Sequence, residues 1–303
     1  MLGSIDLDRP LVSNGYSLVM TPQRLGRLRP ADPGRPQAGL WEQFRADGYL
    51  WLKGILDRKA VLAFRRRFFA AFEDTGLTAA GVDPVEGIYS GLGEHKDLER
   101  QRLMEAARWA AYQDFCLDPR IWGFYEQVLG GPVYLHKRKI IRYTVPGDPV
   151  CTGAHYDLIY LRAGTERVYT SWIPIGDIPV QMGGLAYLEG SDARGRQTEA
   201  EFAALNANLP PEERISAYNR NMARGGWLTK DLPGLAERLD ARWLVADYEA
   251  GDMLIHSAYM IHAATTNEAQ DGRLRLSTDI RYQLVTDQID IRWGRDWSPD
   301  DNL

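Results

Sequence analysis

The sequence predicts a mainly β fold with flanking helices, arranged as an antiparallel sandwich or barrel. Three observations support this. From residue 133 onward run the short β-branched and aromatic segments "PVYLHKRKIIRYTV", "AHYDLIYL", "RVYTSWIPI", "GLAYLEG", "DMLIHS" and "RLSTDIRYQLV", cut by Gly, Pro and Asp turns. Upstream of them, apolar residues recur at helical spacing instead. A composition of 45% hydrophobic and 25% charged residues over 303 positions is ordinary for a globular protein and allows a large core.

In chain order, residues 1–40 are rich in Pro, Gly and Arg without a clear period, and are expected as an extended arm on the surface. "YLWLKGIL" reads as a short strand. The helix after it carries Val61, Leu62, Phe64, Phe68, Phe69 and Phe72 at helical spacing, with Asp57 as N-cap and Gly76 near its stop. Arg65, Arg66 and Arg67 inside it are read as a solvated face. Two further helices are expected near 98–115 and 118–129. Between "EGSD" and "RWLVADYEAGD" a polar, helical insertion spans about residues 193–241, either a lid over a binding site or a surface excursion. Trp293 and Trp297 near the C-terminus are expected to dock against the domain or against a partner in a homodimer.

Several classes are excluded. A net charge of -5 gives no reason to expect nucleic-acid binding. No apolar run approaches the ~18 residues of a membrane span. Cys116 and Cys151 are too few for a disulfide framework and fit a reducing compartment. "MLGSIDLDRP" lacks the basic and apolar regions of a secretory signal. The expectation is a soluble, cytoplasmic protein.

The chemistry is concentrated in a few residues. In a strand, positions i and i+2 share a face, so His155 and Asp157 of "TGAHYDLIYL" are expected to point together. One imidazole and one carboxylate make two legs of a metal site. The third must come from His95, His136, His256 or His262, the other histidines of the chain. His95, in "GEHKD", reads as an exposed loop residue, and His136 as a surface residue or cofactor neighbour. His256 reads as a core or pocket-wall histidine. His262 precedes the small, polar run Ala263 to Thr266, which leaves room for a metal. Two histidines and a carboxylate on one face of an octahedron leave three positions open, as in non-haem Fe(II) oxygenases. Arg275 and Ser277 share a strand face, where a guanidinium could grip a carboxylate through two parallel hydrogen bonds. Arg273 and Arg281 are alternatives for that grip.

Together "FRADGYLWLKGIL", "HYD", "YTSWIPIGD", "GGLAYLEGSD", "GDMLIHSAYMIHAATTN" and "RLS" resemble the phytanoyl-CoA dioxygenase family of Fe(II)- and 2-oxoglutarate-dependent oxygenases. The resemblance implies a double-stranded β-helix, a jelly-roll and cupin-like fold, formed by residues 41–303 as one domain. It implies that His155, Asp157 and His262 ligate Fe(II) and that Arg275 and Ser277 hold the distal carboxylate of 2-oxoglutarate. Trp172 would line the co-substrate pocket, and Lys137 or Lys139 would approach 2-oxoglutarate from the "YLHKRKIIRY" strand. The implied reaction consumes 2-oxoglutarate and O2, hydroxylates an unactivated C–H bond of a small molecule, and releases succinate and CO2. A carboxylate at Asp157 argues against a halogenase, which needs that position vacant. Desaturation or epimerisation with the same oxidant, a non-catalytic jelly-roll binding module and a hydrolytic metal site are the competing readings.

One departure stands out. Relatives commonly have "PGSH" where this chain has "EGSD", so Glu189 and Asp192 change a loop expected at the pocket rim. Tyr160, Tyr218, Asn219 and Trp227 are the pocket-wall candidates. Arg138, Arg142 and Arg162 are scattered basic residues rather than a cluster for a CoA phosphate.

Overall fold

The computed structural model describes residues 9–32, 35–93, 95–223 and 225–298. The opening "MLGSIDLD", part of the stretch from which the lack of a secretory signal is read, lies outside them.

The strands are β1 (Val12–Ser13), β2 (Tyr16–Ser17), β3 (Leu25–Arg27), β4 (Tyr49–Leu52), β5 (Val133–Leu135), β6 (Ile140–Thr144), β7 (Tyr169–Pro174), β8 (Leu185–Leu188), β9 (Trp243–Val245), β10 (Met253–Ser257), β11 (His262–Ala264) and β12 (Arg275–Leu284). The helices are α1 (Gln37–Asp47), α2 (Arg58–Ala70), α3 (Lys96–Ala106), α4 (Ala110–Cys116), α5 (Pro119–Leu129), α6 (Leu158–Leu161), α7 (Ser191–Leu205), α8 (Pro211–Ile215) and α9 (Leu232–Arg238). Among the described residues no helix is long and apolar enough to cross a membrane.

Two sheets face each other in a jelly-roll arrangement and remain open at their edges. The larger runs β4–β10–β7–β12–β5, with β6 also pairing β12, and the smaller runs β11–β8–β9–β3. Alternation along β12 explains its central place. Leu276, Ile280 and Tyr282 point into the outer core against α2, α4 and α5, while Arg275, Ser277, Asp279 and Arg281 point between the sheets. Trp51, Trp172 and Leu254 from the large sheet meet Leu185, Tyr187 and Leu244 from the small one in an apolar plug. The polar cavity lies beside that plug.

Asp57 caps α2 as expected, accepting from the Lys59 N–H at 2.9 Å. Other expectations change. The N-terminal segment is more than a surface arm: Leu11, Leu18 and Leu25 are buried, and β3 pairs in parallel with β9. Its scattered leucines supply apolar contacts that its Pro and Arg content conceals. The expected 98–115 helix breaks between α3 and α4. "AHYDLIYL" is not a strand. Ala154 and His155 form single bridges, and Asp157 turns the chain (φ −67, ψ −29) into α6. Leu158, Ile159 and Leu161 are all buried, and so short an apolar run has no period to tell strand from helix.

Arg65 is buried, whereas Arg66 and Arg67 are solvated as expected. Its guanidinium donates to the carbonyls of Val85, Ile175, Glu86 and Leu274 at 2.6–3.1 Å and stacks on Phe69. One arginine thus ties a helix to three separate loop and strand ends, replacing water for four carbonyls. His136 is likewise buried, with Nε2 2.7 Å from Gln283 Oε1.

Candidate metal centre and its cavity

His155 and His262 lie opposite each other as an antiparallel bridge, each backbone N–H donating to the other's carbonyl at 3.0 and 2.9 Å. Their Nδ1 atoms lie 2.9 Å from Gly153 O and Met260 O. A carbonyl only accepts, so both Nδ1 atoms carry the proton and both Nε2 lone pairs are free. Those Nε2 atoms each lie 3.8 Å from Asp157 Oδ1. The three ligand-type atoms fall within 4.8 Å of one another, and all three residues are buried. His155 and Asp157 therefore converge as expected, through the turn at Asp157 rather than through strand alternation.

The carboxylate is held by a row of side chains across the large sheet. In the strand registers Thr170 lies opposite both His256 and Arg281, so one polar side chain from each of β10, β7 and β12 faces Asp157. Thr170 Oγ1 donates to Oδ2, Arg281 Nη2 donates to Oδ1 at 3.1 Å, and His256 Nε2 stands 3.4 Å from Oδ2. Tyr187 Oη sits 2.8 Å from the other nitrogen of His256. Burial alone would raise the Asp157 pKa, but Arg281, His256 and His262 hold it well below the usual carboxylate range. His256 is thus a wall residue in contact with the ligand carboxylate. Residue spacing offered no sign of this row, because its members come from three strands far apart in sequence.

Next to the triad, a cavity is lined by Trp172, Arg275, Ser277, Asp279, Arg142 and Ile140. Arg275 Nη1 donates to the Gly183 carbonyl, while Arg275 Nε and Ser277 Oγ are buried without a partner among the described residues. Arg273, the first alternative for the carboxylate grip, pairs with Asp271 on the surface, and Arg281 is taken by Asp157. Lys139 is elsewhere: its Nζ bonds Lys137 O and lies over the Tyr112 ring. Lys137 faces solvent near Asp296. The strand "YLHKRKIIRY" breaks after Leu135, and β6 turns its even-numbered positions inward, so Ile140 and Arg142 occupy the wall instead. Arg142 could have been found by carrying strand alternation forward from that break.

A second compartment of about 200 Å³ opens beside His155, lined by Tyr160, Tyr218, Trp227, Trp293, Arg142 and Arg281 among others. The helical insertion contributes Tyr218 and Trp227 to this lining. Asn219 instead anchors its own loop, donating to Glu213 O. Trp293 docks on its own chain, with Nε1 3.1 Å from Tyr160 O. Glu189 and Asp192 line neither space: Glu189 pairs with Arg242 at 2.6 Å, and Asp192 accepts from Ser257 and Arg196. Arg138 stacks on Trp293 and Arg162 pairs with Glu199, well apart from each other in their partners.

Burial lowers the pKa of His136 to about 4, of His155 to about 3 and of His256 to about 4, from an ordinary 6.5. The unfolded chain takes up protons near 6.5 that the folded chain refuses. Stability is therefore full above 6.5 and falls as pH drops from there toward 4. Urea unfolding of the metal-free protein is expected to show a loss of about 3–4 kcal/mol between pH 7.5 and 5.5. A loss below about 1 kcal/mol would mean these histidines are not held neutral.

A jelly roll carrying two histidines and one carboxylate on a cavity wall, with further coordination positions open, defines the class of mononuclear non-haem metal enzymes. Within that class the chain belongs to the phytanoyl-CoA dioxygenase (PhyH) family, which it matches over residues 44–274. It is similar to the 1-deoxypentalenic acid 11-beta-hydroxylases of Streptomyces arenae (26% identical over 246 residues, 78% of this chain and 77% of that one) and Streptomyces exfoliatus (27% over 244 residues, 78% and 77%). Among solved structures, the carbocyclase SnoK of nogalamycin biosynthesis, described as non-heme and alpha ketoglutarate dependent, shares the fold at a TM-score of 0.55 and 18% identity, covering 86% of this chain and 89% of SnoK. The epimerase SnoN, in complex with Fe3+, alpha ketoglutarate and nogalamycin RO, shares it at 0.54 and 20%, covering 88% and 93%.

Proposed function

We propose that the protein is an Fe(II)- and 2-oxoglutarate-dependent dioxygenase that hydroxylates an unactivated C–H bond of a small, largely apolar molecule, releasing succinate and CO2. The supporting observation is the triad standing on the same cavity as Arg275 and Ser277, whose Nε and Oγ are buried without a partner among the described residues. Unpaired buried donors are costly, and a carboxylate ligand would satisfy them. A hydrolytic centre would use the same triad and have no need of that pair. The named activity of the two Streptomyces relatives, a hydroxylation, agrees with this reading.

His155, Asp157 and His262 would hold the metal, each histidine through Nε2 and Asp157 through Oδ1. Arg275 and Ser277 would receive the distal carboxylate of 2-oxoglutarate, with Trp172 as an apolar wall against it. Bound Fe(II) with 2-oxoglutarate and O2 supplies an oxidant able to remove a hydrogen atom from an aliphatic carbon. The protein's own task is placement and exclusion of water. Thr170, His256 and Arg281 keep the carboxylate from rotating, and Tyr160, Trp227 and Trp293 hold the substrate carbon beside His155. Asp157 fills the position a halogenase leaves vacant, so hydroxylation is the favoured outcome.

Under argon, the purified protein with Fe(II) and 2-oxoglutarate is expected to show a weak visible absorption band that neither component gives with it alone. On admitting air, succinate should form slowly even without substrate. Absence of both band and succinate would remove the proposal.

A further inference from the structure

We propose that the substrate is a compact, mostly apolar monoanion, a carboxylic acid whose charged group is received by Arg142 with Arg281 behind it. This rests on the dioxygenase reading and adds the chemical class of the molecule that reading leaves open.

The compartment beside His155 has an uneven lining. Its walls are the rings of Tyr160, Tyr218, Trp227 and Trp293, its charged members are Arg142 and Arg281, and among the described residues no carboxylate lines it. Aromatic walls favour a hydrophobic skeleton, and a few placed polar groups orient it. Arg142 lies where this compartment, the co-substrate cavity and a larger hollow of about 510 Å³ toward α3 all meet. Its side chain makes no hydrogen bond among the described residues. Its nearest opposite charge is Asp279 Oδ2, 3.9 Å away, and its side chain is 44% exposed. Its donors are therefore available to a ligand. Arg281 is fixed, with Nη2 on Asp157 and the guanidinium 4.4 Å from the Trp293 ring centre, and its Nε and Nη1 have no partner among the described residues.

Charge gives the sign of the missing group. Three guanidinium groups, Arg142, Arg275 and Arg281, surround the joined cavities, against two carboxylates, Asp157 and Asp279. A divalent metal and a dianionic 2-oxo acid cancel each other, so the loaded site keeps one surplus positive charge. The ligand histidines add none, since each keeps one proton on Nδ1 against a carbonyl and offers the Nε2 lone pair to the metal. Burial raises the pKa of Asp279, and a proton there would only enlarge the surplus. A surplus positive charge in a partly enclosed, aromatic-walled site attracts an anion. An amine would face two guanidinium groups, and a neutral molecule would leave the surplus in place. A carboxylate removes it and matches the planar fork of Arg142 through two parallel hydrogen bonds.

The test measures binding of matched probes to the protein loaded with Fe(II) and 2-oxoglutarate under argon. Cyclohexane-, adamantane- and naphthalene-carboxylic acids are compared with their methyl esters and the corresponding amines, by change in the visible band and quenching of tryptophan fluorescence. At least one acid is expected to bind tenfold or more tightly than its ester and its amine, and Arg142→Gln to abolish that preference while 2-oxoglutarate affinity falls less than threefold. If every acid binds no better than its ester, or an amine binds best, the proposal is wrong. If Arg142→Gln weakens 2-oxoglutarate more than the acid, Arg142 serves the co-substrate and the proposal is equally wrong. A missing band before any probe is added would count against the dioxygenase reading itself, which keeps the two failures apart.

Discussion

Replacing Asp157 with asparagine is expected to lower Co(II) and Fe(II) affinity by about 100-fold or more, and succinate formation to roughly 1% or less of the parent rate. The reason is the position of Oδ1, which faces both ligand nitrogens at 3.8 Å and is the anionic member of the triad. Asparagine keeps the shape, but its single carbonyl oxygen can accept from Thr170 or from Arg281 and not from both. It removes the negative charge that offsets Arg281, 3.1 Å away, which leaves a buried cation beside the metal position. Both effects act against a divalent ion. Metal titration followed by the visible spectrum of Co(II) reads the first effect, and near-ultraviolet circular dichroism checks that the variant is folded. A folded Asp157→Asn protein with parental Co(II) affinity would show that the metal lies elsewhere.

The second large effect is expected at Arg275. Arg275 is 5% exposed and lines the same cavity as the triad, with Nε unpaired among the described residues. Arg275→Ala should raise the 2-oxoglutarate concentration for half-maximal succinate formation by about 100-fold, the value of two charge-assisted hydrogen bonds in a buried site. The cleaner readout is discrimination. The parent should strongly prefer 2-oxoglutarate to 2-oxopentanoate, which lacks the distal carboxylate, and the variant should treat the two alike. Arg275→Lys should recover part of the affinity, since an ammonium keeps the charge without the fork. Unchanged discrimination in Arg275→Ala would place the distal carboxylate on another residue.

Much of this is legible in the sequence. The short aromatic and β-branched segments give the jelly roll because alternation and turn residues are local signals. "RLSTDIRYQLV" is a continuous strand, and its inward row of Arg275, Ser277, Asp279 and Arg281 follows from period two alone. The pairing of His155 with Asp157 was readable for a reason that turned out to be wrong. Strand alternation predicts their convergence, and a bridge followed by a helical turn produces it. Lys139 illustrates the opposite failure, since a break between β5 and β6 shifts the inward face and puts Arg142 on the wall. Charged neighbours in sequence suggest a solvated Arg65 and a surface or cofactor-side His136, whereas the carbonyls and the glutamine that hold them buried come from distant segments.

By itself, then, the sequence determined the residue types and their local geometry: an HxD, a later histidine, an arginine and serine two apart, and aromatic residues in an insertion. Only the tertiary structure decided their company. That His256, Thr170 and Arg281 converge on one carboxylate depends on the registers of three strands, set by packing between segments up to 124 residues from Asp157. The unbalanced charge of the joined cavities is likewise a sum over side chains that no sequence window contains. Hydrophobic periodicity acts over a few residues, while electrostatic balance acts through space, and space is what folding supplies.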